Sequence, residues 1–167
     1  MRRRVIVNTS PLFYLHRVKY LECLERLYGE IIIPDAVVAE LEEGKRSGED
    51  VPQVSEYNWI KIKRVTIPAF IKIIPDLGLG EAEVLALGCE EVEPLLIIDD
   101  ALARKIANLQ KFKYTGTAGV LLKAKEEGHL TEIRSILERL KKSGFYLNNK
   151  LVTEILIIAG EGEKSGE

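Results

Sequence analysis

Cysteine is scarce in this chain: Cys23 and Cys89 are the only two in 167 residues. Neither has metal-ligand spacing around it, and two isolated thiols read as buried residues of a reducing compartment. Histidine is equally sparse. His16 and His129 lie far from every acidic motif, so no Ser–His–acid or Cys–His arrangement can be assembled. No apolar run approaches the length of a membrane span, and the N-terminal arginines are not followed by the apolar stretch of a secretion signal. The expected location is cytoplasmic, with no membrane partner. An excess of either charge is also missing, because 24 basic residues nearly cancel 26 acidic ones. Any affinity for nucleic acid must come from a local patch. No internal repeat is present.

The remaining composition is that of an ordinary globular chain, 46% hydrophobic and 30% charged. Abundant Ile, Glu and Lys beside a single Met suit a thermophilic source. The length fits one domain, expected over residues 1–159, with Gly160–Glu167 as a frayed tail. Val5–Val7, Ile31–Ile33 and Pro94–Ile98 are continuously apolar, as strands buried on both faces are. Trp59–Val65 alternates apolar and basic residues like an edge strand, and Lys113–Tyr114 is a further short strand. Helical periodicity runs over Leu12–Tyr28, with an interruption near Val18–Lys19 and Gly29 as its stop. Further helices are expected from Pro34 to Glu43, Glu81 to Cys89, Asp100 to Leu109, Val120 to Glu127 and Thr131 to Lys142. Gly44–Gln53 reads as an exposed loop, and Asn149–Ala159 as a last strand or a docking helix. Buried strands alternating with amphipathic helices predict an α/β three-layer domain around a mostly parallel sheet. That fold sets Asn8, Pro34, Asp99 and Thr115 along one edge of the sheet.

The acids are sorted by their position on each helix, at about 100° per residue. In "PDAVVAELEEG" the stripe of Val37, Val38 and Leu41 leaves Glu43 in solvent, while Glu40 and Glu42 flank it equally. In "GEAEVLALGC" the wheel points Glu81 into the apolar arc and Glu83 away from it. Asp99 and Asp100 follow the most apolar strand, and Asp100 also has the position of a helix N-cap. Three carboxylates meeting at one sheet edge repel by roughly 4 kcal/mol per pair at 4 Å and a dielectric near 20. A divalent cation relieves that repulsion, and oxygen ligands favour magnesium or manganese. Arg104 and Lys105 beside the acidic pair, then Lys61, Lys63 and Arg64 on the edge strand, are candidates to steer a phosphate. The "GLG" of Gly78–Gly80 follows a loop, not a strand, so it is not a dinucleotide fingerprint.

The blocks "VIVNTSPLFYL", "IIIPDAVVAEL", "GLGEAEVLAL", "LLIIDDALARKIA" and "YTGTAGVLLKAKEEG" occur in that order over residues 4–148. Together they resemble the PIN-domain proteins, in particular the compact prokaryotic toxin ribonucleases. The resemblance implies a Rossmann-like α/β/α sandwich and a magnesium- or manganese-dependent endoribonuclease. It also implies the toxin half of a toxin–antitoxin pair, with RNA and an antitoxin protein as partners, and a homodimer. Carried over by position, the family's acidic quartet falls on Asn8, Glu40, Glu81 and Asp100. Thr9 or Ser10 assists through a hydroxyl, Asp99 stands beside the quartet, and Thr117 is set to orient a ligand or water.

The departure is Asn8, which keeps a carbonyl oxygen for a hard cation but carries no charge. It opens a second function class, a module that binds RNA or an antitoxin without cutting. A third class, a phospho-acceptor domain using Asp99 or Asp100, lacks an acceptor aspartate at the end of the second strand.

Overall fold

In the computed structural model, which describes residues 3–162, five strands pair in parallel. They are Val5–Val7 (β1), Ile31–Pro34 (β2), Ile60–Lys63 (β3), Leu95–Ile97 (β4) and Lys113–Thr115 (β5), in the order β3–β2–β1–β4–β5. The expected α/β three-layer architecture is therefore present. β1 and β2 are buried at every position, which is why they read as unbroken Val/Ile runs. The edge strands differ. β3 exposes Lys61 and Lys63 and β5 exposes Lys113, and these cations discourage pairing with another chain.

The helices are Thr9–Arg17 (α1), Cys23–Tyr28 (α2), Asp35–Arg46 (α3), Ala69–Lys72 (α4), Leu79–Glu90 (α5), Ala101–Leu109 (α6), Thr117–Glu126 (α7), Arg134–Lys142 (α8) and Asn149–Ile158 (α9). The predicted break after α1 is real: Val18 ends the helix and Lys19 takes a left-handed φ of 67°. Gly29, with φ 79°, stops α2 as expected. The ambiguous C-terminal segment is the helix α9.

Several boundaries shift. α1 begins at Thr9 and not at Leu12, because Pro11 lies in the first turn, where a missing N–H breaks no helical bond. Thr9 and Ser10 are therefore helical residues and not loop. α3 runs on to Arg46, three residues past the expected end, and takes Gly44 from the loop. Pro34 ends β2 and precedes α3 as its N-cap residue. α4 and the 3-10 turn at Val54–Glu56 carry too few residues to show a periodicity.

Cys23 is buried as expected, but Cys89 is exposed, being next to last in α5, where the helix leaves the core. The tail expected from residue 160 is not free at Glu161. Its carboxylate accepts from Lys125 Nζ at 2.7 Å, Ile133 N at 2.8 Å and Arg134 N at 3.2 Å, tying it to the start of α8. The rest of that tail, 163–167, lies outside the described residues. Among the described residues no helix is long and apolar enough to cross a membrane.

Candidate active site at the carboxyl edge of the sheet

With strand order β3–β2–β1–β4–β5, the chain leaves β1 toward β2 and leaves β4 toward β5. The crevice between the carboxyl ends of β1 and β4 is the switch point at which open α/β sheets bind ligands. Asn8 occupies it. Its N–H donates to Ile97 O at 3.0 Å and extends the β1–β4 ladder by one rung. The residue is 2% exposed, and its Oδ1 is buried without a hydrogen-bond partner. Although it stands at the N-cap position of α1, its side chain makes no capping bond. A buried carbonyl oxygen without a donor costs about 1–3 kcal/mol, and helix capping does not account for it.

The next two residues reach in opposite directions. Thr9 Oγ1 donates a hydrogen bond to Glu40 Oε2. Glu40 Oε1 also accepts the Gly80 N–H at 3.1 Å. A Cβ on Gly80 would stand 2.6 and 2.8 Å from the two Glu40 oxygens, so glycine is what lets this carboxylate reach the start of α5. Glu42, its rival on the wheel, is exposed and makes no such contact.

Ser10 Oγ donates to Asp99 Oδ2 at 2.7 Å. Thr117, fully buried, donates its Oγ1 to the same oxygen at 2.7 Å and its N–H to Oδ1 at 2.8 Å. Its direct partner is thus the carboxylate of Asp99. Asp100 is exposed and accepts from Ala103 N at 2.8 Å, so its cap position on α6 is in use.

The acids on α5 depart from the helical wheel. Glu81 is half-buried, and its carboxylate folds back over Gly78, where a Cβ would meet Oε2 at 2.5 Å. Glu83, expected in solvent, is 9% exposed and accepts the Ala36 N–H at 3.2 Å. It thereby caps α3 from another helix, since Pro34 has no side-chain acceptor to do so. Burial pushes the Glu83 carboxyl above its ordinary range; the Ala36 hydrogen bond opposes this, and the negative charges of Asp35 and Glu40 add to it. The reason for the reversal is that α5 buries every residue from Ala82 to Gly88, so it has no solvent face for the wheel to find. One signal was available. Glu83 is the only polar residue in that stretch.

The expected crowding of Glu40, Glu81 and Asp100 does not occur. Among the described residues no three His, Cys, Asp or Glu side chains gather as a metal site requires. Hydroxyls and backbone amides hold Glu40 and Asp99 separately. The donor chemistry nonetheless suits a hard cation: carboxylates, hydroxyls and one orphaned carbonyl oxygen, with no sulfur or imidazole. His16 is paired with Asp50 at 2.9 Å and His129 lies 3.7 Å from Glu127, both away from this edge.

Of the cations, Lys63 is taken by Glu91 at 3.0 Å and Arg64 by Asp35 at 3.3 Å. Lys61 and Lys105 are exposed. Arg104 donates Nε–H to Ile98 O at 2.8 Å and its guanidinium lies 5.5 Å from the Tyr114 ring centre. It approaches Asp99 above Gly116, where any Cβ would collide with both.

A family model described as a PIN domain matches residues 4–161. No curated protein and no solved structure matches the chain.

Proposed function

The chain belongs to the PIN-domain family, whose members are in general nucleases, and from that premise we propose a cytoplasmic, metal-dependent endoribonuclease. The observation that carries the reading is Asn8 Oδ1, a buried acceptor without a donor at the switch point of the sheet, next in the chain to Thr9 and Ser10, whose hydroxyls bond two carboxylates. Asn8, Glu40, Glu81, Asp99 and Asp100 are the residues that would hold magnesium or manganese, and holding it would require these side chains to draw together from the separate partners that keep them apart here. A divalent ion supplies a bound water of lowered pKa and a positive charge for the phosphoryl oxygens.

The chain's own residues do the positioning. Thr9 and the Gly80 amide orient Glu40, while Ser10 and Thr117 orient Asp99. Arg104, fixed through Nε, presents its remaining donors beside Asp99, where a phosphate oxygen can accept them. Asn8 lowers the negative charge of the set by one relative to an all-acid site, which weakens cation binding and leaves the site less crowded without the ion.

The deciding experiment is cleavage of a defined panel of single-stranded RNAs by the purified protein, with magnesium, with manganese and with a chelator. Cleavage that needs the ion and disappears in Glu40→Gln is expected. RNA bound but never cut, with cleavage restored by Asn8→Asp, is the outcome that would favour the silent module over the enzyme. The toxin role and the antitoxin partner are tested by expression in a bacterial host. Growth should arrest with the wild type and recover with Glu40→Gln. Sedimentation of the purified chain tests the homodimer.

A further inference from the structure

A cleft of about 430 Å³ opens beside Asp99, between the β5–α7 turn and the segment formed by Phe145–Leu147 and α9. Asp99, Arg104 and the exposed Glu154 give its lining polar groups, and Leu122, Leu151 and Ile155 give it apolar ones. Two groups with flat faces line it. One is the Arg104 guanidinium, 5.5 Å from the Tyr114 ring centre and held by the Nε bond to Ile98 O. The other is Tyr146, a lining residue that is 84% exposed. Its neighbour Phe145 is braced by Tyr14, ring centres 5.0 Å apart, so the segment that presents Tyr146 is anchored to α1.

We propose that this cleft is a subsite for one unpaired nucleobase of the RNA strand whose phosphate lies at Asp99. The proposal rests on the ribonuclease reading above and deepens it. Aromatic rings and guanidinium planes are the surfaces on which single-stranded bases stack, whatever their identity. The carboxylate of Glu154, which lines the same cleft, offers an acceptor to the edge of a base stacked there. A partner helix suits the space less well. An apolar helix face laid here would take the Glu154 carboxylate and the remaining Arg104 N–H groups out of water and offer them no polar partner, which is costly. A base paired in a duplex cannot enter, so the cleft also selects single strands.

The test is fluorescence anisotropy with a labelled six-nucleotide single-stranded RNA, run alongside cleavage of the same RNA at subsaturating concentration. Tyr146 is exposed, so Tyr146→Ala leaves the core intact, and Tyr146→Trp keeps a stacking face. Tyr146→Ala should weaken binding about tenfold and slow subsaturating cleavage to match, while Tyr146→Trp retains both. A duplex of the same sequence should not compete. Cleavage with unchanged binding in Tyr146→Ala overturns the subsite and leaves the ribonuclease reading standing. Wild-type protein that neither binds nor cuts the RNA overturns both. Self-association abolished by Tyr146→Ala, with RNA binding unaffected, assigns the cleft to a second copy of the chain and overturns the subsite.

Discussion

Helices α3 and α5 are each twelve residues long and meet at the candidate site, yet they handle their acids in opposite ways. α3 has a wet face. Glu40, Glu42 and Glu43 are all exposed, and what distinguishes Glu40 is the partners it finds, Thr9 and the Gly80 amide. α5 has no wet face over Ala82–Gly88, and its acid Glu83 is buried there with a single amide for company. The two helices exchange favours: α5 lends an amide to the acid of α3, and α3 lends an amide to the acid of α5. An acid on a helix with a solvent face can be left idle without cost. One on a buried helix must have a partner or be neutralised.

The sharpest test of this contrast is on α3. Glu40→Gln should lower metal-dependent cleavage at least about 100-fold, since even residues behind the ligands of metal sites cost 10–100-fold. Glu42→Gln, two positions away and also exposed, should change it less than about twofold by the same reasoning; equal losses in a cleavage assay would erase the distinction.

Next is the close approach between the helices. Gly80→Ala sets a methyl where the Glu40 oxygens now lie, 2.6 and 2.8 Å away, and the flexible Glu40 end must swing out. Cleavage should fall about tenfold, as small misplacements of catalytic groups do. Thermal stability should fall little, because the displaced carboxylate is exposed. A large melting shift would mean the backbones had moved instead.

Stability should separate the two helices in the other direction. Glu83→Ala strands the Ala36 amide without its acceptor and should cost about 1–3 kcal/mol by chemical denaturation. Glu43→Ala on the wet face of α3 should stay within about 0.5 kcal/mol.

The smallest effect is a pH dependence. The folded-state pKa of Glu83 is raised, so its contribution to stability is complete below the unfolded carboxyl value and is lost as pH rises through the folded value. Glu83→Gln keeps an acceptor for Ala36 and removes the buried charge. Its melting temperature should exceed the wild type's by a few degrees at neutral pH, with the gap closing toward pH 4. A gap constant with pH would mean that Glu83 is neutral throughout.

The parts of this molecule legible from the chain alone share one property: their signal sits within a few residues. The Val/Ile runs of β1 and β2, the Gly29 stop, the break at Lys19 and the Asp100 cap are all local. The tie between Glu40 and Glu42 was not local. The stripe of α3 places both at its margin, and the winner depends on an amide 40 positions away. Glu83 was misplaced for the same reason. A wheel assumes that one side of the helix meets water, and α5 meets none between Ala82 and Gly88.

The sequence by itself determined that buried strands alternate with helices, and hence that a parallel sheet gathers their carboxyl ends along one edge. It also determined which side chains arrive there. Tertiary structure alone decided how they are used: that Ser10 meets Asp99 across 89 positions, that Thr9 meets Glu40 across 31, and that Asn8 keeps an oxygen with no donor. The physical reason is that a hydrogen bond is set within a few tenths of an ångström, by the packing of whole elements. Periodicity reports only which face of an element avoids water.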